Sequence, residues 1–261
     1  MYATERHDAI ERRLLSAGRV SVVDLARDFG VTTETVRRDL DALERAGALR
    51  RVHGGAVAAS RGGTSETAVS VRGAVHGEEK TRIAVRAAEA LAGLGGSIFI
   101  DAGTTTAAFA REFALRTPAD GNARLELVTH AVPIAFELGA RADLPLTLIG
   151  GRVRGLTAAA VGSAAVEAVS QLRPDVAVIG TNGISAAFGL STPDPEEAAV
   201  KRAIVAAARR IIVLADASKV DEEYLVRFAG LDDVDVLVTD APPSGELADA
   251  LRSADVEMWT A

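Results

Sequence analysis

The chain contains no cysteine. That excludes disulfide bridges and thiolate-held metal, and it leans towards a reducing compartment. Aromatic side chains make up only 4% of the 261 residues, against 48% hydrophobic residues overall. Any core therefore has to be aliphatic, built from Ala, Val, Leu and Ile. No apolar run approaches the ~20 residues needed to span a bilayer. The opening Met1-Tyr2-Ala3-Thr4-Glu5-Arg6 has no signal-peptide pattern. A cytoplasmic protein with no membrane association is expected. An excess of positive charge is missing as well: the net charge is −7, which argues against indiscriminate nucleic-acid binding. Residues 1–60 depart from that balance, with ten Arg against nine Asp and Glu. Any DNA contact has to come from a local cluster of arginines.

What is present divides the chain in two. Ile10, Leu14 and Leu15 mark a helix over about residues 4–17, closed by Ala17-Gly18-Arg19-Val20. Ser21 caps a second helix, Val22 to Phe29, which stops at Gly30. Thr32 caps a third, whose buried stripe is Val36, Leu40 and Leu43. Two short helices around a Gly-containing turn form a helix-turn-helix. Ala48 to Val57 then reads as a hairpin, with Gly54-Gly55 as its two-residue turn. Placed beside the third helix, it is a wing. Thr33, Thr35, Arg37 and Arg38 on that helix, and Arg50, Arg51 and His53 on the wing, are the candidate DNA contacts, because hydroxyls and guanidinium forks reach phosphates and base edges. A solvated charged face explains the helix by itself equally well.

Residues 58–77 are rich in small residues and lack helical periodicity, which predicts a tether. The expected organisation is a DNA-binding domain over 1–57, a linker over 58–77, and an effector and oligomerisation domain over 78–261. From Glu78 onward helices alternate with short apolar strands, among them Ser97–Ile100, Leu125–Val128, Leu144–Ile149, Val176–Ile179, Ile211–Leu214, Val234–Val238 and Val256–Trp259. The helices include Thr105–Phe113, Val132–Leu138, Ala164–Leu172 and Glu196–Arg209. This predicts a Rossmann-like, mostly parallel α/β sheet covered on both faces, with ligands beyond the carboxyl ends of its strands. The fold class is α/β, a winged helix-turn-helix followed by that domain.

The loop Asp101-Ala102-Gly103-Thr104-Thr105-Thr106 ends a strand and opens a helix, where free N–H groups and hydroxyls suit an anion. Gly151 and Arg152, His130, Asn182 and Lys219 lie at other loop ends. A lone Lys219 is usually just solvated, a lone His130 more often structural, and Arg152 is equally suited to bridging subunits. Glu197 and Lys201 are spaced for a simple i,i+4 salt bridge as much as for a ligand.

The segments Val20–Ala26, Thr32–Leu40 and Leu49–Ala56 resemble the winged helix-turn-helix of the DeoR family of bacterial transcription regulators. The segments Glu79–Ala84, Asp101–Thr106, Gly150-Gly151, Gly189–Thr192, Ala199–Lys201 and Leu214–Lys219 resemble that family's effector domain, itself similar to ribose-5-phosphate isomerase. The resemblance implies Arg37 and Arg38 at the DNA surface, with Asp39 either there or bonded to a neighbouring Arg. It implies a sugar phosphate held by Thr104, Thr105, Thr106 and Lys219, with Asp101, Asn182, Glu197 and Lys201 near the sugar. Gly103, His130, Gly151 and Arg152 complete the candidate effector contacts. Within the family the chain resembles regulators of fructose-uptake operons, which implies a repressor released by fructose 1-phosphate. The expected partners are operator DNA, a phosphorylated sugar and further copies of the chain, without cofactor, metal or catalytic residues. The alternative is an isomerase-type enzyme with an accessory DNA-binding domain. Against it, the acidic loop of the isomerases aligns here with Gly180-Thr181-Asn182-Gly183, and an amide does not move protons.

Overall fold

The computed structural model describes residues 3–17, 19–45, 49–52, 54–58, 76–117 and 125–261. The chain falls into two compact units, Met1–Ser65 and Glu66–Ala261.

The first unit comprises α1 (Ala3–Ala17), β1 (Arg19–Ser21), α2 (Val22–Phe29), α3 (Thr33–Arg45), β2 (Leu49–Val52) and β3 (Gly55–Ala58). Its core joins Ile10 and Leu14 of α1, Leu25 of α2, and Val36, Leu40 and Leu43 of α3. Ser21 caps α2 by accepting the Asp24 N–H. The helix stops at Gly30, whose φ of 64° is open to glycine and costly for residues with a Cβ. Thr32 caps α3, its Oγ1 accepting the Thr35 N–H at 3.2 Å.

Two expectations need correction. Residues 19 and 20 do more than end α1: they pair with β3, so the wing is a three-stranded antiparallel sheet in the order β1-β3-β2. Three residues are too few to show a two-residue period. The wing turn is also offset from Gly54-Gly55, since Val52 pairs with Gly55. Gly54 turns at φ 85°. Gly55 is already a strand residue, and a Cβ there would sit 1.9 Å from the Val20 carbonyl oxygen. Close strand approach, not turning, accounts for the second glycine.

The second unit is built on a seven-stranded sheet in the order β15-β14-β12-β9-β4-β5-β6, with every pairing parallel. These are β4 (Gly96–Ile100), β5 (Leu125–Thr129), β6 (Leu146–Leu148), β9 (Val176–Gly180), β12 (Ile211–Leu214), β14 (Val236–Thr239) and β15 (Glu257–Thr260). On one face lie α4 (Gly77–Leu91), α5 (Thr104–Arg116) and α6 (Val132–Leu138). On the other lie α7 (Ser163–Ser170), α8 (Pro195–Ala207) and α9 (Gly245–Ser253). Successive strand residues feed alternate cores: Val178 packs with the first set, Ala177 and Ile179 with the second. Both cores are aliphatic save for Phe99, Phe109, Phe113, Phe228 and Trp259.

Short antiparallel pieces escaped the sequence pattern. The hairpin of β7 (Arg152–Arg154) and β8 (Ala159–Val161) follows β6, and β10 (Gly183–Ser185), β11 (Gly189–Thr192) and β13 (Val226–Ala229) form a small sheet. Strands of three or four residues leave almost no periodicity to read. Ends move by a residue or two elsewhere: the strand expected from Leu144 runs Leu146–Leu148, and the helix expected from Glu196 starts at Pro195, a favoured first position, behind the Asp194 cap.

Candidate functional site

Connections from β4 run outward to β5 and β6, while those from β9 run the other way to β12, β14 and β15. The sheet therefore reverses between β4 and β9, and the crevice beyond their carboxyl ends is where such sheets bind ligands. Asp101 follows β4 there, and Gly180 closes β9.

Asp101 is fully buried. Its Oδ1 faces His130 Nε2 at 3.0 Å, and its Oδ2 accepts the Gly180 N–H at 3.0 Å and a bond from Lys201 Nζ. Lys201 also donates to the Gly180 carbonyl at 2.8 Å. Burial pushes the Asp101 carboxyl up, but the Lys201 charge and the His130 and Lys201 contacts outweigh it and hold the carboxyl at about 2. His130 Nδ1 donates to the Ala160 carbonyl at 2.9 Å, tying β8 to this centre. Glu197 does not pair with Lys201 one turn along α8; it accepts from Thr157 and, at 3.2 Å, from Arg154. The simple i,i+4 salt bridge expected from the Glu197–Lys201 spacing thus gives way to two separate networks, because each side chain meets a nearer partner from another element.

A cavity of about 440 Å³ opens beside this centre. Its walls are Gly77, Lys80 and Thr81 of α4, Gly103, Thr104, Ala107, Ala108 and Arg111 at and along α5, Ala131, Pro133 and Ile134 around α6, and Thr157. The N-terminus of α5 contributes unpaired N–H groups, Lys80 and Arg111 contribute positive charge, and three threonines contribute hydroxyls. One wall is apolar. An anion joined to a small polyol matches those surfaces.

Of the candidate effector residues, Gly103 and Thr104 line this cavity. Thr106 is buried and donates to the Gly103 carbonyl at 3.1 Å, so it shapes the loop. Thr105 is half-buried outside the lining. Asp101, His130 and Lys201 form the buried centre behind the wall, and Glu197 reaches the cavity through Thr157. Asn182 accepts from Thr192 at 3.0 Å. Gly151 leads into β7, and the exposed Arg152 pairs with Glu196. Lys219 ends a 3-10 turn, Ala217–Lys219, after β12.

Lys80, Thr81, Arg111 and Thr157 were missed by residue-level reasoning. Lys80 had a signal. It lies on the buried stripe of α4 with Ile83, Ala84, Ala87 and Leu91 and is only 7% exposed. The chain has just three lysines, Lys80, Lys201 and Lys219, and none of them is an exposed residue. Asp216 links two of them. Burial raises its carboxyl, but Lys219, Ser218, Lys80 and His76 bring it below the ordinary value. Its Oδ2 is buried with no hydrogen-bond partner among the described residues.

In the first unit, Arg37 and Arg38 are exposed on α3, with Arg38 80% accessible. Thr33 is exposed, whereas the Thr35 hydroxyl lies 2.9 Å from that of Thr32 in the cap. Arg51 pairs with Asp41. The Arg50 side chain and His53 lie outside the described residues. Asp39 takes the structural option: it is buried and receives two bonds from Arg6, at 2.7 and 3.0 Å.

A DeoR-like helix-turn-helix domain matches residues 6–61, and the DeoR C terminal sensor domain matches residues 75–241. The glycerol-3-phosphate regulon repressor of Escherichia coli (strain K12) is 32% identical over 258 residues, 99% of each chain. The uncharacterized HTH-type transcriptional regulator FruR of Bacillus subtilis (strain 168) is 34% identical over 241 residues, 92% of each chain. Among solved structures, ribose 5-phosphate isomerase A from Methanocaldococcus jannaschii aligns with 56% of this chain and 55% of its own, at 17% identity and a TM-score of 0.41.

Proposed function

The chain belongs to the DeoR family of transcriptional repressors, and on that premise we propose that it represses a sugar-uptake or sugar-catabolism operon, fructose foremost, and releases its operator when a sugar phosphate such as fructose 1-phosphate binds. The observation that carries the effector half is the cavity at the α5 N-terminus, with buried Lys80 in its wall. A phosphate seats against the free N–H groups, Thr104 and Lys80, while the sugar hydroxyls meet Thr81 and Thr157. Release works by linkage: the effector loosens DNA only by binding better to the arrangement in which paired heads no longer fit their half-sites. A homo-oligomer in the cytoplasm supplies those paired heads, since one small head alone binds weakly.

Operator binding titrated with fructose 1-phosphate, fructose 6-phosphate, glucose 6-phosphate and glycerol 3-phosphate tests this. Release at the lowest concentration by fructose 1-phosphate supports the fructose assignment. Release by glycerol 3-phosphate instead places the chain with its Escherichia coli relative. Indifference to every phosphate rejects the sensor reading.

A further inference from the structure

The exposed face of α3 carries one side chain that a surface seeking phosphates would avoid. Val36 and Leu40 are buried and the Thr35 hydroxyl is engaged in the cap. That leaves Thr33, Glu34, Arg37 and Arg38 as the outward side chains of the first two turns. In helix-turn-helix proteins the start of the second helix meets base edges. Glu34 sits there with its carboxylate 62% exposed, 3.9 Å from the Arg37 guanidinium and 3.6 Å from that of Arg38.

An ionised carboxylate only accepts hydrogen bonds. In a major groove it is repelled by phosphates and finds donors only at cytosine N4 and adenine N6, and the adenine N7 acceptor beside N6 repels it. Its presence weakens binding to arbitrary duplexes and favours sites that offer the right donor. The Arg37 and Arg38 guanidiniums share that carboxylate, which competes with phosphates for them, and over a base edge a guanidinium pairs with guanine O6 and N7.

We propose that Glu34 is a specificity-determining residue of the reading helix, accepting from cytosine N4 and positioning Arg37 and Arg38 on neighbouring bases. This rests on the DNA-reading role assigned above. The full-length protein and its Glu34→Ala and Glu34→Gln variants are each used to select from a pool of random duplexes, and affinities are measured for selected and unselected DNA. The wild type is expected to require cytosine at one position of each half-site. Glu34→Ala reduces that preference about tenfold or more, leaves the other positions unchanged, binds unselected DNA more tightly and shows a steeper salt dependence. Glu34→Gln moves the preference towards adenine, whose N6 and N7 an amide pairs with. Identical preferences in all three proteins overturn the proposal, as does a uniform gain in affinity with no change at any position. A wild type that enriches no sequence overturns the DNA-reading role itself. Thermal unfolding of the variants at the wild-type temperature separates these results from misfolding.

Discussion

Lys201 of α8 and Asp101 at the end of β4 are one hundred positions apart in sequence and form a buried ion pair at the point where the sheet reverses. The carboxylate also accepts the Gly180 N–H and faces His130, so three partners from separate parts of the chain meet on its two oxygens. An ionised group held this far down is a fixed anchor, unsuited to taking up a proton near neutral pH. That agrees with membership of a repressor family.

Replacing Lys201 by Met strands that charge. Breaking a buried pair from one side costs about 3–5 kcal/mol, so the sensor unit of Lys201→Met is expected to unfold at clearly lower denaturant. Adding Asp101→Asn recovers part of the loss, because an amide tolerates burial better than an unpaired carboxylate. The pH dependence follows from the lowered Asp101 carboxyl. Its contribution is complete above the ordinary carboxyl value near 3.8 and disappears as pH falls through about 2. The gap between wild type and Lys201→Met should therefore narrow on acidification. A gap constant from pH 7 to 2 contradicts this role for the pair.

Arg6 and Asp39 make the same argument within the head. Their two bonds tie α1 to the reading helix from behind. Asp39→Ala is expected to lower the stability of the head by about 3 kcal/mol and to weaken DNA binding through it. Sugar-phosphate binding to the sensor unit stays as it was. Calorimetry and titration on the same preparation check both statements.

Arg38→Ala separates reading from folding. The side chain is almost free of the protein surface, so the unfolding curve should match that of the wild type. Operator affinity falls by about 1–3 kcal/mol and specificity relaxes at one base position, as expected for a guanidinium seated on a base edge. Effector affinity is unchanged. Equal loss of DNA and effector binding would contradict this division of labour.

Much of this was legible beforehand for definite physical reasons. α3 announced itself because Val36, Leu40 and Leu43 repeat at helical spacing, and the parallel sheet because buried strands such as Val176–Ile179 and Ile211–Leu214 are continuous apolar runs. The site was only half legible. Loop chemistry pointed to Gly103 and Thr104, which line the cavity, but the Thr157–Glu197 and Asp101–Lys201 contacts join residues 40 and 100 positions apart. No periodicity reports such pairings. Lys80 was hidden by its neighbours, since a lysine before Ile83 and Ala84 reads as the edge of an amphipathic helix until the chain's scarcity of lysine is noticed.

The threonine loop offers the sharpest test of the sensor. Only Thr104 of its three threonines lines the cavity; Thr106 holds the loop and Thr105 sits aside. Thr104→Leu places a branched apolar side chain at the helix N-terminus where the phosphate is proposed to sit. Lys80→Met keeps the length of the side chain and removes its charge. Both variants should bind operator as the wild type does and require at least about tenfold more sugar phosphate for release, the loss expected when one charge-assisted contact disappears. Thr105→Leu should respond nearly as the wild type. If Thr105→Leu abolishes release while Thr104→Leu and Lys80→Met remain inducible, the effector sits deeper, against Asp101 and Asn182, and the cavity beside α5 is not its site.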